Sequence, residues 1–173
     1  MAFFPPGYDQ TSLPNIYLAD SNIKWVNLKY YLGSLIENNG SNLADMQRLI
    51  SYIYARGNCI FRRFNHCNEH VKKELFRAYF ASLYGAALWR SYTDRSISKV
   101  KVAFNNVIRA LFNLKLGDSI STFLMNSNMI AFKPLLRKCV FSLYNRLHSS
   151  ENFLISTLLQ SSFYVYNSRL FKV

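Results

Sequence analysis

The chain has 173 residues, 50% hydrophobic and 16% aromatic, enough to bury the core of one domain and unlike the composition of a disordered segment. Its 21 Lys and Arg against 9 Asp and Glu give a net charge of +12, which favours polyanionic partners such as nucleic acid. No transmembrane span is expected, because the longest charge-free run, residues 152–168, is short and broken by Asn, Gln and Ser.

The start, MAFFPPGYDQ, lacks the basic opening of a secretory signal. Three irregularly spaced cysteines suit reduced thiols, so an intracellular protein without a membrane partner is expected. The charge is unevenly spread. Between Arg48 and Arg146 lie 17 of the basic residues and four acids, Glu69, Glu74, Asp94 and Asp118, so the excess belongs to the body of the chain.

Residues 1–13 read as a loose lead-in. Over 14–40 the sequence is strand-like: Asn15–Leu18, Ile23–Val26 and Tyr30–Ile36 are β-prone runs punctuated by Ala-Asp-Ser-Asn and closed by Glu-Asn-Asn-Gly. Such a two- or three-strand meander is too small to stand alone in water.

From residue 41 onward the period becomes helical. Met46, Leu49, Ile50, Ile53, Gly57, Ile60, Phe61 and Phe64 recur at the 3-4 spacing of an amphipathic helix, with Asn42 and Asp45 at its N-terminus. A second helix is expected over 69–88 with Val71, Leu75, Ala78, Tyr79, Ser82, Leu83 and Ala86 inward. A third is expected over 97–114, built on Ile97, Val100, Phe104, Val107, Ile108 and Leu111 and closed by Gly117-Asp118. A short helix should start at Ser119, a longer one should run from Pro134 to Leu147, and Phe153, Leu154, Leu158 and Leu159 should form a last one. The fold class is therefore mainly α, a helical bundle over 41–173 preceded by a small β meander.

Along the first helix Arg48, Tyr52, Arg56, Cys59 and Arg63 share one line, with Arg62 adjacent. Arginines alternating with a tyrosine suit a nucleic-acid backbone, because the guanidinium fork matches phosphate and the ring can lie on sugar or base. An ordinary solvated face would mix both signs of charge. Lys72, Lys73 and Arg77 extend the basic set to the second helix. Trp89 could stack on a base, although a core position is the commoner place for it.

Catalysis and metal binding find little footing. Cys59, His66, Cys67 and His70 lack a second spaced pair of ligands, since Cys139 and His148 match no such pattern, so no zinc or other cofactor is expected. The aspartates Asp9, Asp20, Asp45, Asp94 and Asp118 are isolated, with no clustered set to hold two metal ions for phosphoryl transfer.

The order of features resembles the C-terminal part of the reverse transcriptase of non-LTR (LINE-type) retrotransposons. In that family an extended segment of the type I-W-V…K-Y-L-G precedes a helical thumb; here stand Ile23-Lys-Trp-Val26 and Lys29-Tyr-Tyr-Leu-Gly33. Downstream, IYARGNCIFRRFNHCNEHVKKELFRAYFASLYGAALW resembles the opening of the thumb, and KVKVAFNNVIRALFNL and LLRKCVFSLYNRL resemble the helices that follow.

The resemblance covers about residues 14–160 and rests on dispersed positions. It implies a primer-grip-like turn at Tyr31, Leu32 and Gly33 and a thumb that holds a primer–template duplex, RNA or DNA, by its backbone. The family's Tyr-x-Asp-Asp strand has no counterpart, since Tyr17-Leu-Ala-Asp20 lacks adjacent aspartates, so a reverse-transcriptase fragment without catalysis of its own is expected. Its partners would be nucleic acid, with the remaining polymerase domains or a second copy of the chain covering the strand-rich start.

Overall fold

The computed structural model describes residues 14–80, 83, 85–86, 89 and 92–161; the lead-in 1–13 lies outside them. The protein is mainly helical, with two small antiparallel hairpins ahead of the helices. It divides into two compact units, Met1–Leu49 and Ile50–Val173.

In the first unit, β1 (Ile16–Leu18) pairs with β2 (Ser21–Ile23), and β3 (Leu28–Tyr31) pairs with β4 (Ser34–Glu37). The expected meander is thus two separate two-stranded sheets, and Trp25 and Val26 fall between them. The third β-prone run splits because Leu32 and Gly33 both take positive φ, 45° and 80°, which turns the chain in two residues. Ala19 and Asp20 do the same at the first hairpin, with φ of 46° and 63°. Positive φ at both central residues gives the turn whose twist matches a hairpin. The first turn lies in the expected Ala-Asp-Ser-Asn tetrapeptide, whereas the second was hidden inside a β-prone run, since Leu does not favour that region.

The second hairpin is tied at its open end. The Asn38 N–H donates to the Asn27 carbonyl at 2.9 Å, and the two side-chain amides meet at 3.1 Å. Its link to the start of α1 (Leu43–Phe64) is polar. The Leu35 N–H donates to Asp45 Oδ1 at 2.9 Å, and the Ala44 N–H donates to Glu37 Oε1 at 2.9 Å. Glu37 so satisfies one of the free amides in the first helical turn. These bonds hold the first turns of α1 to the hairpin, and the division between units falls after Leu49, inside the helix.

The second unit carries the rest of α1, then α2 (Glu69–Phe80), α3 (Asp94–Phe112), α4 (Ile120–Asn126), α5 (Phe132–His148) and α6 (Phe153–Gln160). Side-chain caps mark three starts: Thr93 accepts from the Ser96 N–H, Ser119 from the Thr122 N–H and Asn152 from the Leu154 N–H. Each such cap contributes roughly 1 kcal/mol. Asn113, at φ 52°, ends α3 earlier than the expected Gly117-Asp118.

Phenylalanines form the core. Phe76 and Phe80 stack at 4.9 Å, Phe76 meets Phe104 edge-on at 5.3 Å, and Phe104 meets Phe132 at 5.5 Å. One aromatic chain thereby joins α2, α3 and α5. Val100, Phe104, Val107, Ile108 and Leu111 of α3 are buried, as their spacing predicts.

The second helix differs from expectation on two counts. Its described span is Glu69–Phe80; of the expected continuation, residues 81, 82, 84, 87 and 88 lie outside the described residues, Leu83 is not helical and Gly85 has φ 73°. Its inward residues are Lys72, Phe76 and Phe80, whereas Val71, Ala78 and Tyr79 face out. Trp89 is 3% exposed and belongs to the core.

Candidate nucleic-acid interface

The basic residues expected along α1 do different work. Arg48 is held by Asp45: Nε and Nη2 both donate to Oδ1, at 2.9 and 2.7 Å, and Asp45 is itself 2% exposed. A buried carboxylate needs such a partner, so Arg48 serves first as its counter-ion.

In the second unit, Arg56 is half-buried, donates from Nη1 to the Tyr79 carbonyl at 2.6 Å and lies 4.0 Å over the Tyr52 ring. It fastens the C-terminal end of α2 to α1. Tyr52 is exposed but forms the platform for Arg56.

About two turns further on, Arg62 and Arg63 are exposed and have no acidic partner among the described residues. They border a groove of about 410 Å³ whose other described lining residues are Ala55, Asn58 and Cys59. Asn58 adds an amide donor four and five residues before the two guanidinium groups. The sequence did not single it out; its signal is the helical spacing to Arg62.

The secondary set on α2 is mostly engaged. Lys73 pairs with Glu69 at 2.7 Å, and this hydrogen bond holds the Glu69 carboxyl below the usual carboxylate range. Arg77 bonds Glu74 on one arm and the Asn128 carbonyl on the other, at 3.0 Å. Lys72 does not face solvent as a backbone contact would require; it is 8% exposed, its stem running inward beside Phe76. Of the basic residues expected to grip phosphate, the geometry leaves Arg62 and Arg63 free to do so.

The field around them is strongly positive. The second unit holds 18 basic and 5 acidic residues, a net +13, whereas the first unit is near neutral with 3 against 4. Arg95, Lys99 and Lys101 add exposed charge along α3.

In the first unit, Tyr31, Leu32 and Gly33 form the tip of the β3–β4 hairpin, with Tyr31 62% and Leu32 73% exposed. Among the described residues, no group of three or more His, Cys, Asp or Glu side chains is placed to hold a metal ion. No described helix is long and apolar enough to cross a membrane. No family model matches the chain, and no curated protein and no solved structure is significantly similar to it.

Proposed function

We propose that this chain binds nucleic acid by its phosphate backbone, as the thumb-type part of a non-LTR reverse transcriptase, with Arg62 and Arg63 as the principal contacts. The observation that carries this reading is the pair itself. Two adjacent guanidinium groups, without an acidic partner among the described residues, stand beside a groove on a unit of net charge +13. Guanidinium forks bind phosphate in two-pronged fashion, and a one-signed field gathers a polyanion before contact.

Recognition of this kind ignores base identity, because no base-reading constellation accompanies the arginines. By the resemblance in sequence, the Tyr31-Leu32-Gly33 tip is the part that would meet the primer end. The role proposed is binding without chemistry of its own, as the resemblance to a thumb-type part implies.

The test is binding of the purified full chain to a fluorescent RNA–DNA duplex over a salt series. The expected result is tight binding at low salt, with a logarithmic slope near −2 or steeper, as for two or more neutralised phosphates. A chain that is folded by circular dichroism yet does not bind at low salt overturns the proposal.

A second reading is favoured by a different observation. Tyr17, Leu18, Tyr30, Tyr31 and Leu32 of the hairpin unit are each more than 60% exposed. Apolar surface of that extent marks association sites, so the hairpin unit would bind a second copy or a polymerase domain. Sedimentation over a range of concentrations, with and without duplex, separates the two.

A further inference from the structure

Two tyrosines on α1 differ in what covers them. Tyr52 carries Arg56 on its ring at 4.0 Å, so that face is taken. Tyr54 is 38% exposed and has no ring or cation against it among the described residues. Its hydroxyl is tied instead: Asn106 Nδ2 of α3 donates to Tyr54 Oη at 3.1 Å, across 52 residues of sequence. A surface ring anchored to a second helix is set in place before any ligand arrives, which lowers the ordering cost of stacking on it.

The ring stands in a row. Tyr54, Asn58 and Arg62 follow one another at four-residue steps, about 6 Å apart along the axis of α1, and all three are exposed. Asn58 and Arg62 line the groove beside Arg63. A strand with a phosphate on Arg62 therefore passes the Asn58 amide and reaches Tyr54 within about 12 Å along the helix.

The tie to Asn106 carries the surface on to α3, where Lys99, Val102 and Asn106 are exposed at helical spacing. Nothing acidic interrupts it. The sequence has no Asp or Glu between Asp45 and Glu69, and none between Asp94 and Asp118. The stretches of both helices that flank the Tyr54–Asn106 bond thus hold no carboxylate to repel a polyanion.

An aromatic face beside a positive groove suits unpaired bases. Every base has a π-face, so one ring accepts any of them, whereas the bases of a duplex are closed against each other. We propose that the α1–α3 face binds single-stranded nucleic acid, with Tyr54 stacking on an unpaired base and Arg62 holding a phosphate of the same strand. Asn106 is a positioning residue that fixes the ring. This rests on the reading of Arg62 and Arg63 as phosphate contacts, and adds to it the unpaired strand as ligand.

The test measures affinity for a fluorescent single strand and for a blunt RNA–DNA duplex, using the full chain, Tyr54→Leu and Tyr54→Phe, each shown to be folded. Tyr54→Leu should lose about tenfold on the single strand, as for one stacked base, and less than twofold on the duplex. Tyr54→Phe keeps the ring without its tie and should fall between Tyr54→Leu and the unaltered chain. Equal losses on both ligands, or no loss on the single strand, overturn the proposal.

Photo-cross-linking of the unaltered chain to a bromouracil-substituted strand needs no variant. Peptide mapping should place the adduct on Tyr54, and adducts only elsewhere overturn the proposal. A folded chain that binds neither ligand removes the reading of Arg62 and Arg63 together with this one. Salt-sensitive duplex binding with no effect at Tyr54 removes this one alone.

Discussion

Gly57 of α1 lies so close to Val107 of α3 that a Cβ on the glycine would fall 2.7 Å from Val107 Cγ1 and 2.8 Å from Cγ2. The two helices approach here because residue 57 has no side chain. In an isolated helix Gly→Ala would help by roughly 1 kcal/mol. Here the added methyl meets a branched side chain that is itself 4% exposed and has little room to move. Gly57→Ala is expected to lower stability by about 1–2 kcal/mol, since overpacking outweighs propensity. Denaturant unfolding checks this, and Val107→Ala in the same chain should recover much of the loss. Simple additivity of the two changes would show that the contact is not the cause.

Arg56 has a structural duty. Its bond to the Tyr79 carbonyl and its seat on Tyr52 fasten α2 to α1. Arg56→Ala should cost about 1–2 kcal/mol in urea unfolding, as for a charged hydrogen bond with a cation–π contact. Duplex affinity at a temperature where the variant is folded should change less than threefold.

In the hairpin unit, Asp45 is the comparable point. It accepts the Leu35 N–H and both near donors of Arg48. Asp45→Ala leaves an amide and a guanidinium without their acceptor, and a loss of about 2–4 kcal/mol is expected. Hydrogen exchange should show the Leu35 amide opening before the amides of α3 do.

The three thiols should separate by reactivity. Cys59 is exposed, Cys67 is half-covered, and burial pushes the Cys139 thiol above its ordinary range, opposed in part by a backbone hydrogen bond from Leu83 and the charge of Lys138. Only the thiolate is alkylated, so a raised pKa slows the reaction at any pH below it. Iodoacetamide at pH 8 followed by peptide mass mapping should find Cys59 modified first and Cys139 last.

How much of this was legible in the sequence varies by element, for physical reasons. Helix α3 could be read almost residue by residue, because Val100, Phe104, Val107, Ile108 and Leu111 face the core at helical spacing. Helix α2 could not. Val71, Ala78 and Tyr79 look like a buried stripe, yet the stack of Phe76 and Phe80 against Phe104 turns the helix and carries the long stem of Lys72 inward. That choice is made by another helix, and no local pattern records it.

The basic face shows the same limit. The Arg48–Asp45 pair is written in its three-residue spacing. Arg56 is claimed by a carbonyl 23 residues away, which spacing does not reveal. Counting charges pointed to α1, and the geometry separates the arginines engaged within the fold from Arg62 and Arg63, which have no acidic partner among the described residues.

The most direct test of that separation is duplex affinity of Arg62→Glu/Arg63→Glu against Arg95→Glu/Lys101→Glu. Both double variants change the net charge of the same unit by the same amount, at exposed positions. The account predicts a loss of more than tenfold for the first and a several-fold smaller loss for the second, with both folded. Equal losses would mean that the duplex sees only total charge, and the assignment of Arg62 and Arg63 as its contacts would be wrong.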